Sequence, residues 1–113
     1  MYKELDIDGK SVPMLCNAAT PIRFKGVFHR DLLKFLTSMS TDGVDQMEIA
    51  YAMQELAYVM NAQAEKKDFT KLNEDTYMAW LEEFENPMAI VLSADKIMNV
   101  YQGQTVNESK PKK

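Results

Sequence analysis

Leu5 and Ile7 alternate with Glu4, Asp6 and Asp8, the two-residue period of a half-buried strand. Asp8-Gly9 follows, a pair suited to a tight hairpin turn in which both positions need positive φ. Val12, Met14 and Cys16 then alternate with Ser11, Pro13 and Leu15 and predict a return strand, placing a hairpin within residues 2–17. Pro13 has no amide to donate, so the second strand is expected to be an edge there, or to end early. A two-stranded hairpin is marginally stable alone, so helices or a partner chain must cover it.

From Thr20 the period lengthens to that of a helix. Thr20-Pro21 reads as an N-cap followed by a first-position proline. Phe28, Leu32, Phe35, Leu36 and Met39 form one apolar stripe and predict a first helix over 21–40. Gly26 is a candidate break, after which the helix would restart near His29 or Arg30. Ser38 to Gly43 reads as a loop. A second helix, 44–63, carries Ile49, Ala52, Met53, Leu56, Val59 and Met60 on its main stripe, with Met47, Tyr51 and Tyr58 on a line beside it. Asn73, with Glu74 and Asp75 in the first turn, caps a third helix over 73–85 whose stripe is Tyr77, Trp80, Leu81 and Phe84. Asn86-Pro87 repeats the cap-plus-proline signal and opens a fourth over 87–102, with Gly103 as its C-cap. Residues 104–113 are polar and aperiodic, the composition of a disordered tail. The fold class expected is mainly α with a small N-terminal β-hairpin (α+β), a single four-helix domain over residues 1–103. Trp80, Leu81, Phe84, Ile90, Phe35 and Leu36 are expected in its core.

A chain of 113 residues supports one hydrophobic core without metal or disulfide. No apolar run reaches the roughly 18 residues of a membrane span. Met1 to Asp6 lacks the basic-then-apolar order of a signal peptide, and the lone Cys16 suits a reducing compartment. A small cytosolic domain is therefore expected. The net charge of −4 is uneven. Residues 1–41 hold six Lys/Arg against four acids, whereas residues 42–103 hold four Lys against twelve Asp/Glu. An acidic middle repels phosphate backbones and argues against a nucleic-acid surface.

Catalytic constellations are scarce. His29 is the one histidine and Cys16 the one cysteine, they fall on different elements, and one of each cannot make a typical zinc shell. Asp6-Ile7-Asp8-Gly9 begins like a calcium loop, but the later glycine and glutamate are misplaced. Four glycines form no phosphate-binding loop, and Glu82, Glu83 and Glu85 read as a solvated face. No catalytic residue, metal ligand or cofactor site is assigned, and the chain is read as a non-enzyme. What stands out is nine methionines beside five Tyr, five Phe and one Trp. Methionine adapts to irregular partners and is over-used on binding surfaces. Most of these side chains belong in a core. The double apolar line on the second helix makes Met47, Tyr51 and Tyr58 the candidate protein-binding residues.

One further pattern concerns family. The opening hairpin, then Ala18-Ala19-Thr20-Pro21-Ile22-Arg23-Phe24, then Val27-Phe28-His29-Arg30-Asp31-Leu32-Leu33, resembles the tail assembly chaperones of long-tailed bacteriophages and prophages of Gram-positive bacteria. Tyr77-Met78-Ala79-Trp80-Leu81-Glu82-Glu83-Phe84 is similar to the same proteins, and the likeness spans residues 2–101. The resemblance implies a small helical protein that binds the tape measure protein and helps tail tube protein subunits polymerise around it; a homo-oligomer is expected from the double apolar line on the second helix. It implies action in the bacterial host cytoplasm and absence from the mature virion, while the acidic middle and the lack of a spanning apolar run lead to no nucleic acid or membrane partner being expected. It also implies that the chain is the shorter product of a frameshifted gene, or the first domain of the longer one. Two rival classes are a small helical transcription regulator, which would need clustered Lys/Arg on a recognition helix, and an enzyme, which would need a nucleophile and base.

Overall fold

The computed structural model describes residues 2–32, 34 and 46–109. Strands β1 (Tyr2–Ile7) and β2 (Lys10–Leu15) pair antiparallel, with Leu5 opposite Val12 and Ile7 opposite Lys10. Asp8 and Gly9 make the turn at φ 57° and 78°, the left-handed pair that the Asp-Gly dipeptide favours. Pro13 does not shorten the strand. It stands opposite Glu4, and counting from the two-residue turn this is a wide pair, in which no amide is asked of it. Its carbonyl accepts from Asn61 Nδ2 at 2.9 Å instead. Leu5, Ile7, Val12 and Met14 project from one face and are buried, followed by Cys16.

Helix α1 (Thr20–Phe28) starts one residue earlier than the Thr-Pro signal indicates. Ala19 holds the N-cap position, and Thr20 is a buried helical residue whose hydroxyl donates to Gln63 Oε1 at 2.8 Å. The helix expected over 21–40, with a candidate break at Gly26 and a restart near His29 or Arg30, is broken at His29 and not at Gly26. His29 is left-handed, at φ 61°, and its amide closes α1 on the Lys25 carbonyl. Gly26 stays inside α1, because one glycine costs a helix only about 1 kcal/mol and packed Phe24, Val27 and Phe28 offset that. Past the break Arg30 pairs with Glu55, Asp31 Oδ1 accepts from the Lys34 amide at 3.2 Å, and Leu32 is buried. Phe35, Leu36, Met39 and the loop at 38–43 lie outside the described residues.

Helix α2 (Gln46–Ala64) is the axis of the molecule. From Leu56 to Ala62 every residue is buried, since β2, α1 and α4 all pack on it and the tyrosine side is closed by α3. A short 3₁₀ turn, Phe69–Lys71, leads to α3 (Glu74–Leu81). Asn73 caps α3 as expected: Oδ1 accepts from the amides of Asp75 and Thr76, and the Thr76 hydroxyl accepts from the Asn73 amide in return. The helix stops at Leu81 instead of Glu85, and the fourth helix does not begin at Pro87. Asn86 Oδ1 does accept from the Met88 amide, but residues 82–90 form turns, Val91–Ser93 a 3₁₀ turn, and α4 runs over Ala94–Ser109. α4 passes through Gly103 without capping there, so the expected tail from residue 104 is helical as far as Ser109. Within the described residues the molecule is mainly helical with an N-terminal antiparallel hairpin, an α+β fold.

The core contains a run of aromatic rings. Phe24 and Phe28 lie 5.2 Å apart between centroids, Phe28 meets Tyr77 edge-on at 5.0 Å, and Tyr58 lies 5.4 Å from both Tyr77 and Trp80. Trp80 then meets Phe84 at 5.2 Å. These are the offset and edge-on geometries that ring quadrupoles favour. Of the expected core, Trp80 and Ile90 are buried, whereas Leu81 and Phe84 are half-buried at its margin.

Candidate functional site

The aromatic run ends where the packing opens. Beyond Phe84 the chain does not return onto α2 as a helix but swings out in the turns of residues 84–91. Between that segment, the outer side of α3 and the N-terminal half of α2 lies a groove of about 430 Å³. Four large apolar side chains stand in it with much of their surface in solvent: Met47 42%, Tyr51 53%, Met78 55% and Met88 43%. Leu81, Phe84 and Ile90 form its floor, so the exposed side chains are continuous with the core. Groups of this kind on a folded chain mark a contact surface, because water gains by their burial.

The structure divides the three residues singled out from the sequence. Met47 and Tyr51 line the groove. Tyr58 does not: it is 5% exposed, packed between Phe28, Tyr77 and Trp80, and its hydroxyl donates to Thr76 Oγ1 at 2.8 Å. Tyr51 and Tyr58 are two turns apart on one side of α2, but the Tyr77–Trp80 stretch of α3 covers only the C-terminal part of that side. Because α2 is enclosed from Leu56 onward, the second apolar line is buried at Tyr58 and open at Met47 and Tyr51. Tyr58 is a core residue and is withdrawn from the site.

Met78 and Met88 were missed. Met78 falls out of phase with the Tyr77, Trp80 and Leu81 stripe of its helix, and a large apolar residue off the stripe is a signal for exposure. Met88 was concealed by reading 87–102 as regular helix, which would have turned it along a continuous face.

The groove's outer wall is braced by the hairpin. Asp8 Oδ2 accepts from the amides of Glu85 and Asn86 at 3.0 and 3.3 Å, and Lys10 Nζ donates to the Glu83 carbonyl. The Glu83 and Phe84 amides are held by the Trp80 and Leu81 carbonyls, and the ties to the hairpin engage the Glu85 and Asn86 amides that follow. The groove's polar groups are sparse: Gln54, whose amide nitrogen donates to the Tyr77 hydroxyl at 3.0 Å, and Glu82, Glu85 and Asn86 at the rim. Burial raises the Tyr77 phenol above its usual pKa, against smaller lowering effects of the Gln54 hydrogen bond and the Arg30 charge. Burial likewise raises the Cys16 thiol, partly countered by a hydrogen bond with Thr20. Neither group lines the groove. Among the described residues no cluster of three His, Cys, Asp or Glu side chains is placed to hold a metal ion, and no helix is long and apolar enough to cross a membrane. The arrangement suits burial of apolar side chains. Compared with protein-family models, curated proteins and solved structures, the chain matches none.

Proposed function

We propose that this chain is a non-enzymatic assembly chaperone of the phage-tail kind, holding apolar helical stretches of a tape measure protein until tail tube subunits polymerise around it. The observation that carries this reading is the Met- and Tyr-lined groove, open to solvent and continuous with the core. Methionine side chains re-pack around different partners at little cost, and tyrosine adds contact area with few torsions to freeze. A helical client presents the matching chemistry, an apolar stripe that would otherwise aggregate. The residues that resemble this family, Ala18 to Phe24, Val27 to Leu33 and Tyr77 to Phe84, support the same reading, on which the chain would work in the host cytoplasm before the virion is complete. A transcription regulator is disfavoured, because α3 exposes Glu74 and Asp75 where a recognition helix would carry Lys or Arg.

The test is co-production with the tape measure protein of the same tail-gene cluster. Wild type should raise the fraction of tape measure left in solution after centrifugation several-fold. The double variant Tyr51→Ser, Met78→Ser should not, while keeping the wild-type thermal midpoint. A tape measure protein that stays equally insoluble with and without the wild-type chain would overturn the proposal.

A further inference from the structure

The rim of the groove carries charge of one sign. Its charged lining residues are Glu82 and Glu85, and none of the described lining residues is Lys or Arg. Both carboxylates are exposed, and among the described residues neither forms an ion pair. The C-terminal end of α3 lies at the same rim, where the last carbonyls of a helix add negative potential. Lys10 comes within 5.1 Å of the Phe84 ring, but it is held on the Glu83 carbonyl and does not line the groove. An occupant must therefore bring an apolar face and tolerate, or answer, two carboxylates.

We propose that the groove selects a partner helix whose apolar stripe is flanked by Lys or Arg, with Glu82 and Glu85 pairing to that flank. This rests on the chaperone reading and specifies the chemistry of its client. A second copy of this chain is a poorer occupant. Residues 42–103, which supply every wall of the groove, hold twelve acids against four Lys, so two such surfaces repel. Basic flanks also explain how one adaptable surface can discriminate among apolar helices: the methionines accept many shapes, and the carboxylates reject acidic ones.

Two 18-residue helical peptides test this, with the same Leu/Met stripe and either Lys or Glu along its flanks. Their binding to the full chain is read by fluorescence anisotropy at low and high salt. Exposed ion pairs are individually weak, so exchanging two attractive pairs for two repulsive ones should separate the affinities by about tenfold at low salt. High salt should shrink that ratio, because rim charges are screened. Replacing both carboxylates, Glu82→Gln with Glu85→Gln, should bring the two peptides within about threefold of each other, and Tyr51→Ser with Met78→Ser should weaken both. Equal affinity of the two peptides for wild type overturns the charge preference and leaves the chaperone reading standing. Self-association of the wild-type chain that the Tyr51, Met78 variant abolishes makes a second copy the occupant and overturns the proposal. Failure of both peptides to bind, while wild type still keeps the tape measure protein in solution, moves the client site elsewhere. Failure in the tape measure assay itself overturns the underlying reading.

Discussion

Replacing Tyr58 by Ala separates the two roles that its neighbourhood on α2 suggests. Its ring lies 5.4 Å from those of Tyr77 and Trp80 and 6.4 Å from that of Phe28, all of them packed in the core. Truncating a buried aromatic side chain costs about 3–5 kcal/mol, the sum of lost transfer and an unfilled cavity. The hydroxyl contributes little of this. Thr76 Oγ1 keeps its bonds to the Asn73 amide and carbonyl when Tyr58 is gone, so nothing buried is orphaned. Tyr58→Phe should therefore cost only about 0.5–1.5 kcal/mol. Trp80, the single tryptophan, stands against the altered site and reports unfolding in urea by fluorescence. With a slope of about 2 kcal/mol per molar, Tyr58→Ala should lower the midpoint by about 2 M and Tyr58→Phe by about 0.5 M. Exposed Tyr51→Ala should move it by no more than about 0.25 M. A shift below about 0.5 M for Tyr58→Ala would return Tyr58 to the surface. Equal shifts for the Ala and Phe variants would mean that the hydroxyl, not the ring, holds the site together.

Other consequences are checked more simply. Asn73→Ala removes the acceptor for two first-turn amides of α3 and should cost about 1 kcal/mol, a fall of about 4 °C in thermal midpoint by circular dichroism. Asp8→Gly keeps the left-handed turn but deletes the carboxylate that holds Glu85 and Asn86; the hairpin should persist while affinity for an apolar helical peptide falls. Because burial raises the Tyr77 phenol in the fold, its stabilising contribution is complete below pH 10.0 and is lost as pH climbs through the raised value. Melting wild type and Tyr77→Phe between pH 8 and 11 should show a steeper alkaline fall for wild type.

Where local chemistry decides the backbone, the sequence was readable. Asp8-Gly9 specifies a turn by dihedral preference alone, Asn73 a helix start by its own side chain, and the alternation from Leu5 to Met14 a single buried face. The break at His29 was not readable in the same way. Histidine takes positive φ more readily than most residues but too weakly to mark a helix end by itself, and past it Arg30 pairs with Glu55 and Leu32 is buried. Periodicity located the apolar sides of α2 correctly but could not say what lies over each turn of them, so Met47 and Tyr51 were grouped with Tyr58. The stretch from Phe84 to Ser93 was read as helix because Asn86-Pro87 does open a turn. The Glu85 and Asn86 amides just before that turn are held by a pair of contacts from the far end of the chain, which no window of sequence contains.

That pair of contacts also sets a timetable. Asp8 and Glu85 are 77 residues apart. At about 5–20 residues per second, a ribosome needs about 4–15 s to pass from one to the other. The hairpin has long been made when its partner amides appear, and until then the segment bearing Met88 has no brace. Contacts of such separation are also the costly ones to close, and form late when a finished chain refolds. An incomplete chain that ends before this segment consequently lacks the groove's outer wall, and with it Ile90, Ile97 and Val100 of the core. On the proposed function, holding of apolar helices would begin only once the hairpin has met these late amides.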